Sequence, residues 1–195
     1  MNMLIYLFPG ILKIDVVRAD LYRYYGKIDK TSFNKAMRIP GFKFTLYFRL
    51  CALYPKFSLL GAIARWKNSR LFVRYGFQIP RKTNIGKGLR ISHFGGVVVN
   101  YDAVIGSNCY LSHNITIGQS LRGKSKGSPV IGDRVWIGPG AVIVGKVVIG
   151  DNVLIAPNSY VNVDIPSNSI VLGNPAKIIE KANATDGYLT NIYFN

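Results

Sequence analysis

Residues 131–161 read IGDRVWIGPGAVIVGKVVIGDNVLIAPNSYV. A branched aliphatic side chain recurs at every sixth position, at Ile131, Ile137, Ile143, Ile149, Ile155 and Val161. Four residues after each of the first five stands a small or β-branched side chain: Val135, Ala141, Val147, Val153 and Ser159. A period of six suits neither a 3.6-residue helix nor an alternating strand. It suits a β-helix, in which each hexad supplies one short strand and one corner. The aliphatic residue then points inward and stacks on its equivalent in the next coil, in a column that no single coil can bury. A β-sandwich has no reason to hold so strict a phase.

The same rhythm runs through Ile79, Ile85 and Ile91, and then through Val99, Ile105, Leu111 and Ile117. A slip of two residues separates 91 from 99, and a longer break separates 117 from 131. Asn108, Asp133, Gly140, Asp151, Asn152 and Asn158 suit corners that need unusual backbone angles. The polar, basic segment 119–129 is expected to leave the coil as a protruding loop. Upstream, helical spacing occurs over 14–25, 29–37, 44–54 and 59–73, with Pro40 as punctuation. The chain thus divides into a helical, basic region (1–75), a β-helix (76–175) and a C-terminal tail (176–195) that packs as a short helix or lies extended. The expected class is mainly β, a parallel β-helix with a small α-helical region before it.

The 195 residues carry 25 Lys/Arg against 9 Asp/Glu, a net charge of +16, and 49% of them are apolar. That apolar share excludes a disordered chain. Cys51 and Cys109 are the only cysteines, and His93 and His113 the only histidines. This excludes a disulfide scaffold, a four-ligand zinc site and a histidine-rich metal centre. No metal is expected, and the composition suits a reduced, cytoplasmic protein. The apolar run 3–8 lacks a positive leader and is broken by Pro9-Gly10, so it does not read as a secretory signal. No uncharged apolar run reaches membrane-spanning length. Residues 1–80 hold a net +11, interleaved with Tyr and Phe. A solvated basic face, contact with the inner face of an anionic membrane, and nucleic-acid binding all fit that pattern. No nucleic-acid motif supports the last.

The repeats, the segments ISHFGGVVV (91–99) and LSHNITIG (111–118), and the ending GNPAK (173–177) resemble the serine acetyltransferase-like branch of hexapeptide acyltransferases. The resemblance covers about 74–180. It implies a left-handed β-helix, a homotrimer or dimer of trimers, and acetyl-CoA as co-substrate between neighbouring coils. It also implies that His93 is the general base and that acetyl passes directly to an acceptor hydroxyl. Gly138, Ala156 and Lys177 would line the CoA groove, with Lys177 near its phosphates. The sequence departs from serine acetyltransferases at three places. Ser92 and Gln78 stand where the family carries Asp, and Gly127-Ser128-Pro129 replaces Arg-His-Pro. These changes remove charges that would hold an amino acid. The chain then looks more like the relatives that acetylate sugars, which implies a sugar hydroxyl of a capsular or exopolysaccharide, or of its precursor, as acceptor. Serine or another small acceptor is the first alternative, and a non-catalytic binding module the second.

Phase arithmetic places the two histidines together. Each lies two residues after an inward side chain, Ile91 or Leu111, and they are one coil apart once the slip is subtracted. Their backbones should stack about 4.8 Å apart at one corner, beside the loop. Two charged imidazoles that close repel, and a neutral imidazole is what a hydroxyl's general base requires. His113 is the second catalytic candidate, as a group that orients the acceptor. Asn100 or Asp102 is a candidate to orient an imidazole, and Gly118 or Gly138 to offer a backbone N–H to the oxyanion. Arg122, Lys124 and Lys126 are positioned to meet CoA or an anionic glycan. Cys109 falls at a small inward position and reads as packing.

Overall fold

The computed structural model describes residues 10–194; the apolar run 3–8 and Asn195 lie outside them. After a short 3-10 turn at Ile11–Lys13 come four helices: α1 (Asp15–Tyr25), α2 (Lys30–Ala36), α3 (Pro40–Leu53) and α4 (Leu59–Tyr75). Their ends follow local rules. Asp29 caps α2 by accepting the Ser32 N–H at 2.7 Å, and Ser58 caps α4 by accepting the Gly61 N–H at 3.0 Å. Gly26 and Gly76 close α1 and α4 in the left-handed region, at φ 63° and 70°. α3 starts at Pro40, earlier than its apolar spacing suggested. Proline suits a helix's first turn because the N–H it lacks would have no helical partner there, so Pro40 opens this helix.

Three parallel sheets follow, one on each face of a triangular coil. The first holds β1 (Phe77–Gln78), β4 (Val97–Val99), β7 (Thr116–Gly118), β10 (Val142–Val144) and β13 (Tyr160–Val161). The second holds β2 (Asn84–Ile85), β5 (Val104–Ile105), β8 (Val130–Ile131) and β11 (Val148–Ile149). The third holds β3 (Arg90–Ile91), β6 (Tyr110–Leu111), β9 (Trp136–Ile137), β12 (Val153–Ile155) and β14 (Ser169–Leu172). An antiparallel strand, β15 (Lys177–Glu180), adds to the third sheet's edge. The register stacks Val99, Ile117, Ile143 and Val161 on one face, and Ile85, Ile105, Ile131 and Ile149 on the next. On the third face it stacks Ile91, Leu111, Ile137, Ile155 and Val171. All of these are buried, each stabilising the coil by roughly 1.5–3 kcal/mol.

The corner between the second and third faces explains a run of glycines. Asp133 accepts the Ser107 N–H at 2.6 Å, and Asp151 accepts the Asp133 N–H at 2.7 Å. Each carboxylate lies against the glycine of the coil before it, so a Cβ at Gly106 or Gly132 would collide with it. The tail runs back along this corner. Asn152 holds it by donating to the Ala182 carbonyl and accepting from Thr185 Oγ1, and Asn108 accepts the Tyr193 N–H at 3.0 Å. The described residues of the tail thus form one strand, then turns over 182–188, and no helix.

The helices cover the open edge of the first coil. Tyr24 Oη donates to the Ile91 carbonyl at 2.9 Å and accepts the Ile91 N–H at 3.0 Å. Arg49 donates to the carbonyls of Ile85 and Gly86, both at 2.6 Å, and pairs with Asp20 at 2.9 Å. Asp20 in turn accepts the Leu89 N–H at 2.8 Å. Burial pushes the Asp20 carboxyl up, against the pull of Arg49 and of the backbone donors. An edge strand left bare would offer unpaired N–H and C=O groups, and here side chains of α1 and α3 satisfy them. No helix among the described residues is long and apolar enough to cross a membrane. Replacing Arg49→Ala leaves Asp20 buried without its cation and two carbonyls without donors. Urea denaturation should register a loss of about 3–5 kcal/mol; a loss under 1 kcal/mol would refute this role for Arg49.

Candidate active site

At the corner between the third and first faces, Ile91 pairs with Leu111. His93 and His113, two residues further on, project one above the other. Their ring centroids are 5.7 Å apart with the planes at 80°. The two-residue slip in the repeat has a structural cause at this corner. Val98 pairs with Thr116 and Val99 with Ile117, while the Asn114 N–H donates to the Gly95 carbonyl at 3.1 Å. The extra residues are thus taken up between His93 and Gly96, and the bulge throws Phe94 outward to 64% exposure. The bulge also receives the end of α4. The Gly95 N–H donates to the Tyr75 carbonyl at 2.9 Å, and the Tyr75 ring lies 6.1 Å from that of Phe94.

His93, Phe94 and His113 line an open hollow of about 250 Å³. His93 is exposed and His113 half-buried, and the buried His113 Nδ1 has no hydrogen-bond partner. Ser92, beside the expected base, accepts from Arg90 Nε at 3.2 Å. Among the described residues no carboxylate pairs with either ring. No Asp or Glu occurs between Asp29 and Asp102, the stretch that contains His93. Phe94 escaped the sequence reading, although the slip between 91 and 99 marked its place.

Asn100 and Asp102, expected to orient an imidazole, and Gly118, expected to meet the oxyanion, are not at this corner within one chain. β4 and β7 carry the chain along a whole face to the next corner. There Asn100 Oδ1 accepts from the Asp102 N–H at 2.9 Å and from Ser128 Oγ at 3.0 Å. The loop 119–129 leaves from that same second corner, not beside the histidines. It closes as a small hairpin through paired Ser120–Gly127 backbone bonds and folds onto Lys146 through the Ser125 carbonyl. Arg122, Lys124 and Lys126 go with it. Gly138 and Ala156 lie at the histidine corner but continue the column of Ser92 and Ser112, since Ile137 and Ile155 stack on Leu111; Pro139 and Pro157 continue that of the histidines. A Cβ at Gly138 would strike Pro157 N at 2.7 Å and the Ile155 carbonyl at 2.9 Å. Packing between coils is thus sufficient reason for that glycine. Ala156 opens onto a groove of about 550 Å³ along the third face, with Trp136, Leu154, Pro157, Leu172 and Lys181. Lys177 sits exposed on β15, paired with Leu172, and it is Lys181 that faces the groove.

Comparison with known proteins places this geometry. Residues 128–163 match the bacterial transferase hexapeptide (six repeats) model. Soybean serine acetyltransferase complexed with serine superposes with a TM-score of 0.71 at 31% identity, over 90% of this chain and 72% of that one. The chain belongs to the hexapeptide-repeat acyltransferase family. Serine acetyltransferase from Brucella abortus in complex with coenzyme A gives a TM-score of 0.70 at 26% identity, over 94% and 76% of the two chains. Serine acetyltransferase 4 of Arabidopsis thaliana is 36% identical over 122 residues, which is 63% of this chain and 34% of that protein. The chain spans between a third and two thirds of the length of the curated relatives it matches. These relatives are serine acetyltransferases, the first alternative of the sequence reading, rather than capsular or exopolysaccharide enzymes. The fold is the left-handed β-helix of that type.

In this family member the thiols are sequestered. Cys109 is fully buried, its Sγ 3.3 Å from the Gly132 carbonyl, and burial pushes the thiol up to about 12. Cys51 is buried too, and its thiol is likewise raised by desolvation. Neither can present a thiolate near neutrality. Among the described residues no cluster of three or more His, Cys, Asp or Glu is placed to hold a metal ion. At pH 8 the folded protein should resist Ellman's reagent at both cysteines and react at both in denaturant. Rapid reaction of Cys109 in the native state would contradict its assignment to the core.

Proposed function

We propose that this chain is an acetyl-CoA-dependent O-acetyltransferase in which His93 is the general base and a small hydroxyl compound the acceptor. Serine, named in the relatives, is the first acceptor to test. The observation that carries the reading is the pair of facing imidazoles at an open corner of a hexapeptide β-helix, one of them with a buried ring nitrogen lacking a partner. His93 takes the proton of the acceptor hydroxyl as its oxygen attacks the thioester carbonyl carbon. The carbon–sulfur bond then breaks and the proton passes to the departing sulfur, giving an acetyl ester and free CoA. With Cys51 and Cys109 buried, the transfer needs no cysteinyl-acyl intermediate. His113, within reach of the same hollow, orients the acceptor.

The groove along the third face suits the co-substrate. Trp136, Leu154, Ala156 and Leu172 provide apolar walls for a long flexible arm, and Lys181 supplies a cation for its phosphates. When bound, acetyl-CoA supplies the activated acetyl group. The histidine hollow is shallow and open, so exclusion of water calls for a second chain against this corner. A homotrimer with sites between subunits meets that need, and it would let the Asn100–Gly118 corner of one copy approach the histidines of another.

A specific observation favours a second reading, a sugar hydroxyl as acceptor. The hollow has no carboxylate to meet an ammonium group, and Ser92, Gln78 and Gly127-Ser128 stand in place of charges. Phe94 offers an exposed apolar wall of the kind on which a sugar ring packs. CoA release measured with serine and with a glycan panel decides between the two. His93→Ala should lower kcat/KM about 10²–10⁴-fold with the true acceptor, and His113→Ala should act mainly on the acceptor's KM. Phe94→Ala should raise KM for a sugar and leave serine unaffected. Full activity in His93→Ala would reject the mechanism.

A further inference from the structure

Residues 30–101 contain fourteen Lys/Arg and no Asp or Glu. The face of α4 turned away from the core lies in the middle of this acid-free stretch. Its outward positions 59, 62, 66, 70 and 73 follow one helical stripe. Large apolar side chains stand on that stripe: Leu59 at 77% exposure, Trp66 at 54% and Val73 at 81%, with Phe57 at 93% just before the helix. Cations surround them. Lys67 Nζ lies 4.6 Å and the Arg70 guanidinium 5.4 Å from the Trp66 ring centre, and Lys56 Nζ lies 5.3 Å from that of Phe57. A hollow of about 590 Å³ runs along Trp66, Arg70, Val73 and Arg74. Beside it Arg81 donates to Ser69 Oγ at 2.8 Å, which brings Arg81 and Lys82 against the same surface.

Exposed aromatic and aliphatic side chains among Lys and Arg, in a stretch of sequence without acidic residues, are the chemistry of a helix lying on an anionic bilayer. The apolar groups enter the boundary of the acyl chains while the long cationic side chains reach the phosphates. We propose that the outer face of α4 is a docking surface for an anionic lipid membrane. Charge complementarity selects this occupant. A second copy would bring two acid-free cationic faces together, which like-charge repulsion opposes. A nucleic acid would meet the cations but leave Phe57, Leu59 and Val73 without an apolar partner.

The placement matters for the hollow at the histidines. α4 is about 25 Å long at 1.5 Å per residue, and the stripe ends at Val73, two residues before Tyr75, whose ring touches Phe94. A bilayer under α4 therefore lies close to the entrance of the histidine hollow. The docking surface itself stands independently of which acceptor is acetylated.

The test is co-sedimentation of the full chain with phosphatidylglycerol–phosphatidylcholine vesicles and with phosphatidylcholine vesicles alone, from about 0.05 M to about 0.5 M salt. Wild type should pellet with the anionic vesicles only and be released as salt rises. Arg70→Glu with Arg74→Glu should lower the bound fraction at least about tenfold. Phe57→Ser with Trp66→Ser, which leaves the charge unchanged, should lower it about tenfold as well. All four side chains are exposed, so circular dichroism of each variant should match wild type. Any one of three results overturns the proposal. These are no pelleting at low salt, unchanged pelleting of the Phe57/Trp66 variant, and displacement from vesicles by an equal charge of oligonucleotide. A smaller assembly for the Phe57/Trp66 variant in sedimentation velocity would instead assign the face to a second copy and overturn the proposal too. None of these readouts depends on acetyl transfer.

Discussion

Every feature of this protein is referred to one constraint, that each coil must place three aliphatic side chains inward and can bury them only against the coils above and below. Ile131 needs Ile105 on one side and Ile149 on the other. The requirement is met continuously from Ile85 to Val171, and it holds the three faces in register. Because the columns cannot shift, whatever is added must be accommodated at corners or ends. The additions are a bulge after His93, a hairpin after Gly118, a helical cap and a wrapped tail, and each sits at one of those places.

The ends of the coil show the same logic in polar terms. A coil without a neighbour exposes the N–H and C=O groups of its strands. At the start, Tyr24, Arg49 and Asp20 satisfy those of Ile91, Ile85, Gly86 and Leu89. The buried Arg49–Asp20 pair is more than an ion pair, since the guanidinium also serves two carbonyls of the β-helix. At the other end, β15 covers β14, and the tail then returns along the asparagine corner as far as α1, where Tyr193 Oη donates to Asp15 at 2.7 Å. Helices, coil and tail thus form one hydrogen-bonded unit.

The histidine corner joins the chemical and the surface features. The bulge that exposes Phe94 is also where α4 ends, so the hollow has the β-helix on one side and the cationic helix on the other. The absence of acidic residues across 30–101 covers His93 and α4 alike. It keeps acidic side chains out of the segment that carries His93, and it leaves the outer face of α4 uniformly positive.

Much of this was legible without coordinates. A period of six sets one inward residue per hexad, so the β-helix, its columns and the stacking of His93 on His113 follow from counting. The helices before it were legible from spacing. What counting could not supply depends on contacts between distant parts of the chain. Asn100 and Gly118 look close to the histidines in sequence, yet a full face of the coil separates them. A two-residue slip shows that something is inserted, but only packing against Tyr75 and Asn114 decides that Phe94 is what emerges. Pro40 reads as a separator until α3 is seen to begin on it. The tail's path, the cover over the first coil's edge and the choice of Lys181 over Lys177 at the groove were likewise decided by tertiary structure. Local periodicity reports which side chains face inward; it carries no information about which outward-facing groups from remote segments meet.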